Sequence, residues 1–148
     1  MSKYYEIVIF TAGMPDYADW VINGIDKTKN ISHRLYRQHT TLHGSNMIKD
    51  LSLLGRDLSK TIIIDNMAEN FQFKNPLNGI WVESWYNDAN DKELTLLIPF
   101  LKSIVEQQVD VRSILTDNFK NKVLYKRLYE RKEVPEIKGP VNIRKQPK

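Results

Sequence analysis

Two short apolar runs constrain this chain more than anything else in it: Ile7-Val8-Ile9-Phe10 and Thr61-Ile62-Ile63-Ile64. Both are rich in β-branched residues, and each stops at a polar turn, Thr11-Ala12-Gly13 and Asp65-Asn66 respectively. A continuous apolar run, unlike an alternating one, implies a strand covered on both faces, as in a parallel sheet. Weaker strand candidates are Arg34 to Gln38 and Gly79 to Val82. Helices fit between them. Pro15-Asp16 opens one, with Trp20, Val21 and Ile25 on one face. Ser45 or Asn46 caps a second, with Ile48, Leu51 and Leu54 inward and Gly55 ending it. A third begins near Asn90-Asp91 and carries Leu94, Leu97, Ile98, Leu101, Ile104 and Val105 at helical spacing. Pro99 lies inside that pattern and is expected to kink or break it. The alternation of strands and helices predicts an α/β fold, an open and mostly parallel sheet in three layers. In such sheets sites lie beyond the carboxyl ends of the strands, where Thr11 and Asp65 both fall.

A length of 148 residues suits one domain with a real core. The chain has no cysteine, which excludes disulfides and thiolate-based metal centres. No apolar run approaches the ~20 residues of a membrane span. The first residues do not read as a signal peptide and run straight into a strand, an abrupt start that points to a missing upstream segment. The net charge of +4 is unevenly placed. Residues 120–148 hold 10 Lys and Arg against 3 Glu, whereas residues 1–119 hold 12 against 15 acidic residues. The chain therefore divides into an α/β part, residues 1–115, and a basic tail, residues 116–148. Residues 119–132 of the tail are expected to be helical, and the Pro- and Gly-containing remainder disordered. Any contact with nucleic acid or an acidic protein surface would belong to that tail, with a merely solvated tail as the competing reading.

Several residues carry chemistry. Thr11 can donate its hydroxyl to a phosphate oxygen at a strand end, or simply serve the turn before the following helix. Asp65, with Asn66 beside it, offers oxygen ligands to Mg²⁺, and the same pair is a common turn. Lys49 suits a phosphate as a point charge, or lies solvated on the surface. His39 and His43 are four apart, as zinc ligands on a helix would be, but Thr40-Thr41-Leu42 between them is β-prone and the spacing loses its meaning.

Taken together, the chain resembles the small phosphatases that act on the C-terminal domain of RNA polymerase II, also described as NLI-interacting-factor-like phosphatases, of the haloacid dehalogenase superfamily. The resemblance runs in order through Tyr5 to Ala12, Tyr17-Ala18-Asp19, Leu35-Tyr36-Arg37, Ile48 to Leu58, Ile62 to Asn66, Ser84-Trp85, Leu97 to Leu101 and Asp110-Val111-Arg112. It implies a Rossmann-type three-layer sheet and Mg²⁺-dependent dephosphorylation of phosphoserine or phosphothreonine in a protein substrate. It implies catalytic roles for Thr11, which holds a phosphate oxygen, and for Lys49, which neutralises phosphate and nucleophile. By the same resemblance Asp65 and Asn66 are metal ligands, Arg37 binds the substrate phosphate, and Met14 and Tyr17 border the substrate groove. The implied setting is nuclear or cytoplasmic, or mitochondrial, as for relatives in the protein-import machinery.

One departure is decisive for activity. The family's first motif, Asp-x-Asp-x-Thr/Val, supplies the nucleophile and the general acid and base. It lies upstream of the matched part, and no Asp-x-Asp occurs anywhere in the sequence. The expectation is a truncated phosphatase domain with little or no turnover. The alternative is a non-catalytic module of the same fold that binds phosphopeptides or proteins. The missing motif also removes the central strand, between the strands ending at Thr11 and Asp65, leaving a gap of roughly 10 Å, two interstrand spacings. Either those two strands close up and pair, or the domain folds poorly alone, or another segment supplies the strand.

Overall fold

The computed structural model describes residues 1–115; the basic tail and its expected helix lie outside the described residues. Strands β1 (Ile7–Phe10) and β2 (Ile31–Leu35) pair in parallel across helix α1 (Pro15–Ile25). Strands β5 (Ile63–Asp65) and β6 (Gly79–Trp81) pair in parallel across the short helix α2 (Glu69–Gln72). Between these two β–α–β units, β3 (Thr41–His43) and β4 (Asn46–Ile48) form an antiparallel hairpin. Helix α3 (Glu93–Gln107) follows, and residues 111–115 are again helical. The fold is α/β.

The strands form three two-stranded sheets, not one continuous sheet. β1 and β5 do not pair with each other, so direct closure of the two expected neighbours is excluded. Each has one edge without a strand partner among the described residues. The consequence shows in burial: all four residues of β1 are only half-buried, although their apolar run suits full enclosure. The two units are joined nearer the start of β1. Tyr5 donates its hydroxyl to the Leu101 carbonyl at 2.7 Å, and the Arg56 guanidinium grips the Glu6 carboxylate with two bonds, 2.8 and 2.9 Å.

The main core lies against β6 and α3, where Ile80, Val82, Leu97, Phe100, Leu101 and Ile104 are buried with Val111 and Leu115. Ile64 packs on that cluster, while its neighbour Ile63 packs with Leu51 and Phe71 on a second one. The alternation of Ile63 and Ile64 between two clusters covers β5 on both faces, as its sequence predicts. Gly79 is required by this packing, because a Cβ there would lie 1.7 Å from the fully buried Phe71 ring.

Three local expectations are corrected. No helix starts at Ser45 or Asn46; residues 46–48 are a strand, and only a 3₁₀ turn, Leu51–Leu54, follows. Its stop at Gly55 is as expected, in the left-handed region at φ 62°. Helix α3 runs through Pro99 without a break, held by Leu97, Phe100, Leu101 and Ile104 on its buried face. Helix α1 buries Ala18 and Ile22 instead of the expected face, leaving Trp20 and Ile25 exposed at 76% and 71%. Ala18 and Ile22 are one turn apart and stack directly, whereas Trp20 falls on the opposite side at about 100° per residue.

Two outcomes are expected. Gly79→Ala should destabilise the domain by about 3 kcal/mol through the clash with Phe71, read as a lowered midpoint in urea denaturation. The second concerns acid. The Arg56 guanidinium lowers the Glu6 carboxyl, the Tyr36 hydroxyl and Arg34 lower Asp19, the Asn30 and Ile31 amides lower Asp26, and Arg112 lowers Asp110. Carboxyls held below their ordinary values contribute stability that is complete above the unfolded values and lost as pH falls through the folded ones. The melting temperature should therefore be flat above about pH 5 and fall steadily below about pH 4.

Candidate phosphate-binding site

β1–β2 pairing builds the first part of the site. The Thr11 amide donates to the Leu35 carbonyl at 2.9 Å, extending the ladder past β1. Two residues on, the Arg37 amide donates to the Gly13 carbonyl at 3.1 Å, and its Nε donates to the Ala12 carbonyl at 2.7 Å. Thr11 and Arg37 are thus brought to one loop. The Thr11 Oγ1 accepts from the Gly13 amide at 3.0 Å, so it serves the turn, and a hydroxyl that accepts there can still donate its own proton elsewhere. Arg37 is exposed, and its two terminal nitrogens have no protein partner among the described residues. A guanidinium edge beside a hydroxyl and a turn suits a tetrahedral oxyanion. Helix α1 starts immediately after, with Met14 at its N-cap and Tyr17 in its first turn, exposed at 56% and 68%. The helix is fixed to β2 by Asp19, which accepts from Arg34 at 2.6 Å and from the Tyr36 hydroxyl at 2.7 Å.

Hairpin and β5 build the second part. Lys49 follows β4, and Asp65 is the last residue of β5. The Lys49 Nζ lies 2.6 Å from Asp65 Oδ2, and the two side chains are only 11% and 3% exposed. The surface-lysine reading of Lys49 is thereby excluded. Both partners are anchored through their surroundings. The Lys49 amide donates to the Asn70 carbonyl at 2.6 Å, and the Asn75 side-chain amide donates to the Lys49 carbonyl at 3.1 Å. Asp65 Oδ1 accepts from the Met67 amide at 2.8 Å, with the Asn70 side chain at 3.5 Å. Asn66 gives its side-chain amide to the Ser84 hydroxyl at 2.9 Å, while its carbonyl accepts from the Trp81 indole at 2.8 Å.

The structure therefore ties Arg37 to the turn that follows Thr11, through Ala12 and Gly13, and joins Lys49 directly with Asp65. No hydrogen bond or ion pair links Thr11 or Arg37 to Lys49 or Asp65 among the described residues. Asn70 and Asn75 were not legible beforehand; nothing in Glu69-Asn70-Phe71 or Lys74-Asn75-Pro76 separates a buried structural amide from a surface one. His39 and His43 do not share a helix: His39 ends a 3₁₀ turn, and His43 closes β3, with its ring stacked on Phe73 at 4.0 Å.

The family model for NLI interacting factor-like phosphatases matches residues 1–112. The chain belongs to this family. Among curated relatives, it is 46% identical over 120 residues to CTD small phosphatase-like protein 2 of Dictyostelium discoideum, covering 81% of this chain and 21% of the relative. It is 45% identical over 121 residues to CTD small phosphatase-like protein 3 of Caenorhabditis elegans, covering 81% and 42%. With CTD nuclear envelope phosphatase 1B of Danio rerio the identity is 40% over 119 residues, covering 80% and 48%. The chain thus spans less than half the length of each of these NLI interacting factor-like relatives. Among the described residues no helix is long and apolar enough to cross a membrane.

The Mg²⁺ implied by the resemblance can be tested against the donors present. Among the described residues no three His, Asp or Glu side chains gather into a metal-holding group. Asp65 is the carboxylate at the expected position, and its charge is already matched by Lys49 at 2.6 Å. A divalent ion on Asp65 would sit against that ammonium in a buried place, where like charges repel strongly. These donors alone do not fit the ion.

Burial makes the Lys49–Asp65 pair energetically consequential. Lys49→Met should cost about 3–5 kcal/mol by leaving a buried carboxylate uncompensated, whereas Lys49→Met with Asp65→Leu should restore most of that loss. Urea denaturation of both variants measures the difference; equal stability of the single variant and the wild type would contradict the pairing.

Proposed function

We propose that this chain is the phosphate-recognising part of a protein serine/threonine phosphatase domain, and that it binds phosphorylated peptide while turning it over slowly or not at all. The observation that carries this reading is the exposed Arg37 guanidinium, tethered through Nε to Ala12, the residue after Thr11, with no partner for its terminal nitrogens among the described residues. In this reading the phosphate of a phosphoserine or phosphothreonine takes a bidentate contact from Arg37 and a hydroxyl hydrogen bond from Thr11. Met14 and Tyr17 then contact the peptide on either side of it. Relatives named as CTD and nuclear envelope phosphatases support a phosphoprotein ligand and a nuclear or cytoplasmic setting.

Catalysis needs more than this arrangement. Phosphoryl transfer by this family's route uses a carboxylate nucleophile and a second carboxylate for proton transfer, and the sequence holds no Asp-x-Asp. We read the β1–β2 and β5–β6 pairs as two halves of a three-layer sheet, in which a further parallel strand would lie between β1 and β5, whose facing edges have no strand partner among the described residues. Mg²⁺ chemistry joins the reading only where a further carboxylate is supplied beside Asp65, with Asn66 as a neighbouring oxygen donor.

Isothermal titration with a serine-phosphorylated peptide and its unphosphorylated counterpart tests the proposal. The phosphorylated form should bind at least tenfold more tightly, and Arg37→Ala should remove that preference, at about 1.5–3 kcal/mol for a charge-assisted contact. Equal affinity for both peptides would sink the reading. Turnover of p-nitrophenyl phosphate should stay near background, and brisk hydrolysis would contradict the slow-turnover part.

A further inference from the structure

We propose that the exposed face of helix α1 is a self-association surface, on which a second copy of this chain seats its own α1 in antiparallel orientation.

The face follows from helical spacing. At about 100° per residue, Met14, Tyr17, Val21 and Gly24 recur three and four apart along one side of α1, with Trp20 and Ile25 on its two margins. Met14, Tyr17, Trp20 and Ile25 are each more than half exposed, and Val21 is half-buried. None of the six carries a charge. Two carboxylates are held off this face, on the side of the buried Ala18 and Ile22: Asp19 by Arg34 and Tyr36, and Asp26 by the Asn30 and Ile31 amides. A contiguous apolar face of this kind marks an interaction site.

The charges that border the face select the occupant. Asp16 lies in the first turn of α1, and Lys27 lies just past the last turn, where its Nζ folds back onto the Asn23 carbonyl at 3.0 Å. By helical angle, Asp16 and Lys27 fall on the same flank, next to Trp20. In an antiparallel pair with two-fold symmetry, each flank meets the same flank of the other copy with its ends reversed. Asp16 of each copy then faces Lys27 of the other, Tyr17 faces Ile25, and Val21 meets its own counterpart near the axis. Trp20 lies over Gly24 of the other copy, where the Cβ position has nothing within 4 Å and leaves room for an indole. A lipid surface fits less well. Helices that lie on anionic membranes carry Lys and Arg on their polar face, whereas Pro15–Ile25 holds Asp16 and Asp19 and no basic residue. Tyr17 and Trp20 alone offer on the order of 200–350 Å² of exposed surface per copy. With their aliphatic neighbours the contact falls at the low end of specific interfaces, so the dimer is reversible and concentration-dependent.

Sedimentation equilibrium of the full chain, from about 10 μM to about 1 mM, should show a monomer–dimer equilibrium. Trp20→Glu should weaken it at least about tenfold, because it places a charge in the apolar contact, while the circular dichroism spectrum stays unchanged. Asp16→Lys should weaken it by about fivefold, since two like-charged contacts replace two ion pairs. Adding Lys27→Asp to Asp16→Lys should restore the affinity to within about twofold of wild type. A chain that stays monomeric throughout, whether or not it binds phosphatidylserine vesicles, overturns the proposal. So does a dimer that ignores Trp20→Glu, which would use another face, or an Asp16→Lys loss that Lys27→Asp does not rescue, which would exclude the antiparallel pairing. A series of ever larger species also overturns it, because a two-fold contact closes on itself. Met14 and Tyr17 belong to both this surface and the phosphopeptide reading, so a second copy and a peptide exclude one another there. The dimer is measured without peptide, and its failure leaves the phosphopeptide reading standing.

Discussion

A buried ammonium cannot stand alone, and the part of this molecule built from residues 41–81 is arranged around that constraint. Lys49 is carried inward by a hairpin, and Asp65 meets it from the end of β5 at 2.6 Å. Around the pair, Asn70 and Asn75 use backbone and side-chain groups to fix Lys49, so that α2 is tied to both β4 and β5. Such a pair contributes little net stability over an apolar substitute, but its geometry specifies which strand ends meet.

The rest of the fold is two similar units in one chain. Each is a strand, a helix and a parallel strand, and each ends a strand in a polar residue, Thr11 after β1 and Asp65 in β5. They differ in enclosure. β5 has packed clusters on both faces, whereas β1 is half-buried along its whole length. Contacts just before β1 join them: Met1 and Tyr5 pack on the core around Ile80 and α3, Tyr5 donates to Leu101, and Glu6 pairs with Arg56. An apolar strand with an open edge is a state that parallel sheets ordinarily avoid, since backbone amides left unpaired and dry are costly.

Within the NLI interacting factor-like family this chain therefore presents an asymmetric set of charges. Arg37 is exposed and Thr11 half-buried, with Met14 and Tyr17 exposed at the start of α1. Lys49 is buried and answered by Asp65. Without a nucleophilic carboxylate, groups of this kind stabilise no covalent path to phosphate.

What the residues determine unaided is the two strongest strands and where they end; β2 lies at Ile31–Leu35 and not at Arg34 to Gln38, and the β3–β4 hairpin was not legible. β-branched runs at Ile7–Phe10 and Ile62–Ile64 are stiff and apolar enough to be strands in nearly any setting, and the polar residues after them mark their ends. Gly55 as a helix stop was legible for the same local reason, a positive φ that favours glycine. Residues 46–54 were not, because Ile48, Leu51 and Leu54 fit a helical period while pairing with β3 rewards an extended Asn46–Ile48. Pro99 misled for a similar reason: one lost hydrogen bond is outweighed by the buried face of α3. The Lys49–Asp65 pair was named residue by residue, but that the two would neutralise each other could not be read from positions sixteen apart. Which charges face one another depends on how β4, β5 and α2 are brought together in space, and that is decided by packing, to which residues far apart in the chain contribute at once.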